Sequence, residues 1–353
     1  MEREHLKQNE KRNNFNIVRF IAALFVVIGH TGPIIGKPAI TIFGIDLHAV
    51  GVQVLFFIGG YLVTTSWKRE QKIGIFLYKR FLRLWPPYAV MILIMTFVTG
   101  PLISELGIRG YFSTGWTDYL KNLRFYIIFC QPGVFTELPL ANVTNGSLWT
   151  MPVEALLYLL TPILFSLTGG GKSRKSFYSM AALTGICCIL NILYYSGNDP
   201  QVIWYATDWV KAGKLMVFYM LGMLCSYEEM KPIFQFQRAC LVLILLAPLS
   251  AISPLIKGIT MQIGIPYFMM SLAITEKPIF SSFGKKYELS YGIYLYGFFF
   301  QQLTCSWFQR NGDEPDYLIV LVISLVMTLA AAWLNSICIE RPLLGLKRKL
   351  VRG

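Results

Sequence analysis

Apolar residues run along this chain in long blocks separated by short polar segments. The blocks lie at about 15–32, 49–66, 86–104, 149–168, 179–196, 212–227, 239–256, 259–275, 288–307 and 317–338. Most approach the ~20 residues that an α-helix needs to cross a ~30 Å hydrocarbon core. A transmembrane β-barrel would alternate apolar and polar positions over ~10-residue segments. Runs such as CLVLILLAPLSAISPLI (Cys240–Ile256) do not. The pattern predicts an all-α, polytopic integral membrane protein with about ten transmembrane helices.

An even number of spans puts both termini on one side, and the basic residues agree. Arg3, Lys7, Lys11 and Arg12, then Lys68, Arg69, Lys72, Lys79, Arg80 and Arg83, fall on that side. So do Lys172, Arg174, Lys175, Lys231, Arg238, Lys277, Lys285 and Lys286, and the closing Lys347, Arg348, Lys349 and Arg352. The other side is poorer in lysine and arginine, and its last loop is acidic, with Asp313, Glu314 and Asp316. The positive-inside rule therefore places both termini in the cytoplasm. One transmembrane domain over 1–345 is expected, with a short basic cytoplasmic tail, 346–353, and no appended soluble domain. The longest outer segment, 104–147, predicts a surface or re-entrant helix within DYLKNLRFYIIF (Asp118–Phe129).

Composition supports this frame. Of 353 residues, 55% are hydrophobic and 14% charged, against roughly a quarter charged in soluble domains. The net charge of +13 follows from membrane orientation, so it does not call for a nucleic-acid partner. The charged start, with no small-residue cleavage site after the first apolar run, reads as a retained span and no cleavable signal peptide. The seven cysteines are scattered and form no C-x-x-C pair, so no metal or redox framework is expected.

Against this apolar background a few ionisable residues stand out, and an ionisable group inside a bilayer is costly enough to suggest function. The first block reads VRFIAALFVVIGHTGP (Val18–Pro33). Arg19 and His30 lie eleven residues apart, ~1100° around a helix, so they share one face, ~16 Å apart along the axis. Arg19 by itself also reads as a snorkelling anchor. The fourth span, SLWTMPVEALLYLLTPIL, carries Glu154 at an outer-half depth similar to that of His30. A histidine beside a carboxylate is a general-base arrangement; a structural ion pair is the plainer alternative. In YKRFLRLWPPY (Tyr78–Tyr88), Arg80 and Arg83 share a face ahead of a Pro86–Pro87 break. Arginine forks bind phosphates, and also lipid headgroups. Gly59 and Gly60, within GVQVLFFIGGYLV, permit close helix approach.

These features, in this order, resemble the integral-membrane acyltransferase type three family, which includes bacterial polysaccharide O-acetyltransferases. The resemblance rests on Arg19 and His30, on GVQVLFFIGGYL with Gly59 where serine is usual, and on Arg80, Arg83 and Pro86. It continues with Ser147, Leu148, Trp149 and Thr150 followed by Glu154, and with SYGIYLYG, where Gly297 replaces a usual histidine. Glu340–Pro342 closes the set.

The resemblance implies transfer of an acetyl group from cytoplasmic acetyl-CoA to a hydroxyl of an extracytoplasmic glycan, such as O-antigen or exopolysaccharide, in a bacterial inner membrane. Arg19, Arg80 and Arg83 would hold the donor. His30, assisted by Glu154, would act as general base or transient acyl carrier. Ser147, Trp149 and Thr150 are candidate oxyanion or substrate contacts. Tyr111, Phe112, Trp116, Tyr119, Trp204, Tyr205 and Trp209 are candidate sugar platforms or interfacial anchors. Gly297 removes a possible second catalytic or acceptor-binding imidazole, so a two-histidine mechanism is not expected. A transporter or flippase for a small anion or glycolipid would use similar buried charges, and is the rival expectation.

Overall fold

The computed structural model describes residues 13–171, 173–193, 200–343 and 345. The basic tails used in the charge argument, Lys172 and the end of the 179–196 block lie outside the described residues.

The chain is helical almost throughout. Helix α1 (Phe15–Ile34) leads through a two-stranded antiparallel hairpin (Thr41–Ile42 with Ile45–Asp46) into α2 (Leu47–Arg69). Helix α3 (Ile73–Ile94) passes through a π-helical stretch (Met95–Thr99) to a last turn at Gly100–Ile103. A short α4 (Gly107–Ser113) and two 3-10 helices (Trp116–Arg124 and Gly146–Thr150) bring the chain to α5 (Met151–Leu167) and α6 (Arg174–Leu193). A second small hairpin (Ile203–Trp204 with Thr207–Asp208) precedes α7 (Trp209–Cys225) and α8 (Phe236–Leu249). Helices α9 (Pro254–Ile259) and α10 (Ile265–Ala273) are joined by a π-helical segment, and α11 (Ser290–Arg310) and α12 (Tyr317–Asn335) end the bundle.

Among the described residues, six helical stretches are long and apolar enough to cross a membrane: Phe15–Ile34, Leu47–Arg69, Ile73–Ile103, Gly146–Leu167, Arg174–Leu193 and Tyr317–Leu343. The chain is a multi-pass membrane protein. The remaining four expected spans are also helices, but of a different kind. Helix α7 has 17 residues and α8 has 14. The α9–α10 pair is interrupted by its π-helical segment. Helix α11 has 21 residues but carries Gln301, Gln302, Thr304 and Ser306, all buried against the protein. It is a core helix, and polar groups there bond inward: Gln301 Nε2 donates to the Val27 carbonyl and to Thr31 Oγ1, each at 2.7 Å.

Helix ends follow local chemistry. Asp208 accepts from the backbone N–H groups of Val210 and Lys211, and Asp316 from those of Leu318 and Ile319. These carboxylates satisfy donors that a helix start leaves unpaired. Two sequence expectations need correction. The Pro86–Pro87 pair does not break the third span, because α3 runs through it. The surface helix of the long loop covers Trp116–Arg124 and stops before RFYIIF is complete, because Phe125 takes a left-handed conformation (φ +62°).

Lipid offers little hydrophobic drive between helices, so packing relies on small residues. Helix α2 packs along α1 and α7, and α11 along α1 and α12. A Cβ on Gly60 would sit 2.0 Å from the Tyr219 carbonyl oxygen, and one on Gly222 would sit 1.9 Å from that of Phe57. The neighbouring Gly59 has open space, with its nearest atom at 3.9 Å. Gly60→Ala or Gly222→Ala should therefore destabilise the protein by about 1–3 kcal/mol through overpacking, while Gly59→Ala should be close to neutral. Thermal unfolding of the three variants in detergent checks this; equal melting of Gly59→Ala and Gly60→Ala would refute the packing account.

Candidate functional site

Three guanidinium groups converge at one end of the bundle, called here the basic end. Arg19 comes from α1, and Arg80 and Arg83 from one face of α3. They line a cavity of about 230 Å³, together with α2 residues from Val52 to Val63 that include Gly59. Thr150, Glu154, Tyr158, Tyr219, Ser290, Tyr291 and Tyr294 complete the lining. The volume holds several waters or one slender ligand arm.

Glu288, two residues before α11, organises two of these cations. Its Oε2 lies 3.4 Å from Arg19 Nη2 and 2.9 Å from Arg83 Nη2, and its other oxygen accepts from the Ser290 backbone N–H at 3.0 Å and from the Ser290 hydroxyl. Burial opposes ionisation of this carboxyl, but Arg19, Arg83 and the Ser290 hydroxyl outweigh it and hold it at about 2. Arg80 differs. It donates to Ser66 Oγ at 3.0 Å, its guanidinium lies 5.7 Å from the Phe76 ring centre, and its Nε is buried without an acceptor. Among the described residues Arg80 has no carboxylate partner. Three guanidinium groups against Glu154 and Glu288 leave an excess of positive charge in a largely apolar pocket, an arrangement suited to an anion.

A group held below its unfolded pKa stabilises the fold above that unfolded value, and this contribution disappears as pH falls through the folded value. For Glu288 those limits are 4.5 and about 2. Glu288→Gln should therefore lower the melting temperature at neutral pH, by a deficit that shrinks as pH falls from about 4 toward 2. A deficit absent at neutral pH, or undiminished near pH 2, would contradict the assignment.

Tyr294, one turn after Ser290 on α11, also lines the cavity. Its hydroxyl lies 2.6 Å from Thr150 Oγ1 and donates to the Ser147 carbonyl at 3.1 Å. Further along the same helices come His48, one turn before Val52, Phe298, one turn after Tyr294, and His30, about three turns after Arg19. His30 packs on both neighbours, with ring centres 4.4 Å from His48 and 5.3 Å, edge-on, from Phe298. His30 Nδ1 lies 2.8 Å from the Val26 carbonyl oxygen. A carbonyl only accepts, so Nδ1 carries the proton and Nε2 the lone pair.

The expected site residues thus separate into two groups. Arg19, Arg80, Arg83, Thr150 and Glu154 line one cavity. His30 is not part of the lining. The expected His30–Glu154 pair is not formed: Glu154 accepts from the Tyr158 hydroxyl and stays with the arginines. Equal depth was an insufficient guide, because neighbouring helices present those levels to different places. Ser147 is buried, and its Oγ has no hydrogen-bond partner. Trp149 is half-buried against the core.

Among the aromatic platforms, Tyr111 and Tyr119 are core residues. They bond to the Thr96 carbonyl and the Met95 sulfur and present no free ring. Phe112, Trp204 and Tyr205 are exposed.

Sequence reasoning missed Glu288, Tyr158, Tyr294 and His48. A signal existed for His48, since the chain has three histidines and this one heads the second span. Gly297 also has a physical explanation: a Cβ there would meet the Val27 side chain at 2.7 Å, so a histidine would not fit this packing without a shift of Val27.

Comparison with known proteins gives a consistent picture. A family profile described as an acyltransferase domain, acyltransferase type three, matches residues 12–336. An O-acetyl transferase of Shigella phage Sf6 is 24% identical over 324 residues, covering 90% of this chain and 93% of its own. Nodulation protein 10 of Rhizobium leguminosarum bv. viciae is 26% identical over 366 residues, covering 96% and 95%. The peptidoglycan O-acetyltransferase OatA of Listeria monocytogenes is 26% identical over 201 residues, which are 52% of this chain and 30% of that protein. No solved structure gives a significant match.

Proposed function

The chain belongs to the acyltransferase type three family, and from that membership we propose that it transfers an acetyl group from cytoplasmic acetyl-CoA to a hydroxyl of an extracytoplasmic surface glycan, such as O-antigen or another exopolysaccharide. The glycan class is suggested by relatives named for O-acetyl transfer, one of them to peptidoglycan. The observation that carries the reading is the cavity lined by Arg19, Arg80 and Arg83, with Arg19 on the same face of α1 as His30.

On this reading the basic end faces the cytoplasm. Arg19 and Arg83 are 16% and 30% exposed in their side chains, so the cavity is entered there. The donor's phosphates would rest on Arg80 and Arg83, near Arg19. The cavity takes the thin pantetheine arm, and the nucleotide stays at the entrance. The thioester would have to pass Tyr294 and Thr150 to meet His30, ~16 Å from Arg19 along the helix axis. There His30 serves as general base for the acceptor hydroxyl, or accepts the acetyl group first. Ser147, with its unpartnered hydroxyl, is the candidate donor for the oxyanion. Glu154, held by Tyr158 beside Arg80, assists from within the donor pocket.

The test is expression in a bacterial host that makes a defined surface glycan, with O-acetyl groups read by NMR of the purified glycan. New O-acetyl signals relative to the empty vector are expected. No acetylation, together with no release of coenzyme A thiol by the purified protein, would overturn the proposal.

A further inference from the structure

The second imidazole, His48, has no role in the reading above, yet the fold holds it firmly against His30. Gly29 lets α1 touch the start of α2: a Cβ on it would come 2.2 Å from the His48 backbone nitrogen. Pro33 has no N–H, so the Gly29 carbonyl four residues earlier loses its usual helical donor. The Gly29 backbone thus lies beside the His48 ring. The two rings lie 4.4 Å apart, tilted by 31°. His48 Nδ1 is nevertheless buried with no hydrogen-bond partner, a costly state for a polar atom unless a ligand uses it.

His30 has one nitrogen available, because Nδ1 is committed to the Val26 carbonyl. If Nε2 bonds to an acetyl group, His30 cannot also take a proton from the acceptor. A second base must then stand beside it, and His48 occupies that place. His48 also sits in the first turn of α2, next to the hairpin at the end remote from the arginines. That is the side from which an acceptor would arrive.

We propose that His30 carries the acetyl group transiently on Nε2, and that His48 is the base that activates the acceptor hydroxyl. This rests on the acyltransferase reading of the preceding subsection. In the first half-reaction the His30 Nε2 lone pair attacks the thioester carbonyl. The N–C bond forms, the C–S bond breaks, and coenzyme A leaves as thiolate. In the second, the acceptor oxygen attacks the acetyl carbonyl while His48 takes its proton. The O–C bond forms, the N–C bond breaks, and the lone pair returns to Nε2. The His48 proton finally neutralises the thiolate through solvent. The sum is thioester plus alcohol giving ester plus thiol, with both imidazoles restored.

Hydroxylamine provides the test, because it discharges acyl-imidazoles without help from a base. Thiol release from acetyl-CoA is followed with purified protein in lipid nanodiscs, with hydroxylamine as the acceptor. Glycan O-acetylation is measured in cells in parallel. His48→Gln and His48→Asn each put a neutral amide in the place of the ring but cannot hold a proton. Both are expected to release thiol with hydroxylamine at nearly the wild-type rate, and to acetylate glycan about 10²-fold less. His30→Ala should lose both activities. Loss of hydroxylamine-driven release in both His48 variants, or glycan acetylation at the wild-type level in either, would overturn the base assignment. Wild-type protein that acetylates glycan but releases no thiol to hydroxylamine would remove the carrier step and leave the acyltransferase reading standing. Absence of both activities in the wild type would overturn that reading, and this proposal with it.

Discussion

His30→Ala should lower acetyl transfer by about 10²–10⁴-fold, the range of a lost general acid–base group, at equal protein level in the membrane. The expectation comes from the state of the ring. Its Nδ1 is fixed by the Val26 carbonyl at 2.8 Å, and the packing of His48 and Phe298 limits its rotation. One tautomer is therefore presented, with the lone pair on Nε2. Alanine at this site opens space but leaves no ionic partner stranded, because His30 makes no ion pair among the described residues. The fold should accordingly survive. O-acetyl content of the glycan by NMR, normalised to membrane protein level, is the measurement. Acetylation by the variant within a few-fold of wild type would refute any reaction through His30, whether base or carrier.

The second large effect separates two arginines that look equivalent in sequence. Arg80→Ala should raise the KM for acetyl-CoA by roughly 10–100-fold, the value of one or two lost charge-assisted hydrogen bonds, with little change in melting temperature. Arg83→Ala should reduce both donor use and stability. It leaves Glu288 with Arg19 alone, at 3.4 Å, and breaking a buried pair costs about 3–5 kcal/mol. That figure is an upper bound here, since the Arg83 side chain is 30% exposed and solvent screens it. The measurements are donor-concentration curves and thermal unfolding of both variants. An Arg80 variant with unchanged donor KM would remove this arginine from the donor site. Equal melting of the two variants would contradict the division of labour between them.

The two arginines show where sequence reading stops. Their three-residue spacing fixes a shared face of α3 through helix geometry alone. It does not reveal that a carboxylate more than two hundred residues later, Glu288, lies against one of them and not the other. The Pro86–Pro87 pair reads locally as a break. In the bundle α3 runs through it, and the nearby Leu84 carbonyl accepts from the Tyr291 hydroxyl at 2.7 Å. Tyr111 and Tyr119 read as surface aromatics in a long polar loop, and the loop folds them into its own core.

What the sequence by itself determined are the properties set by local periodicity: the helical class, six of the ten expected spanning blocks, and the common face of Arg19 and His30. These depend on 3.6 residues per turn and on the cost of burying charge, which act within one segment. The tertiary structure decided the partners. Glu154 goes to Tyr158 and the arginine cavity, and His30 goes to His48, because glycine contacts such as Gly29 and Gly51 set how closely α1 and α2 meet and at what level. Depth along a helix is written in the sequence. The azimuth at which two helices face each other is a property of their packing, and the chemistry of this site depends on it.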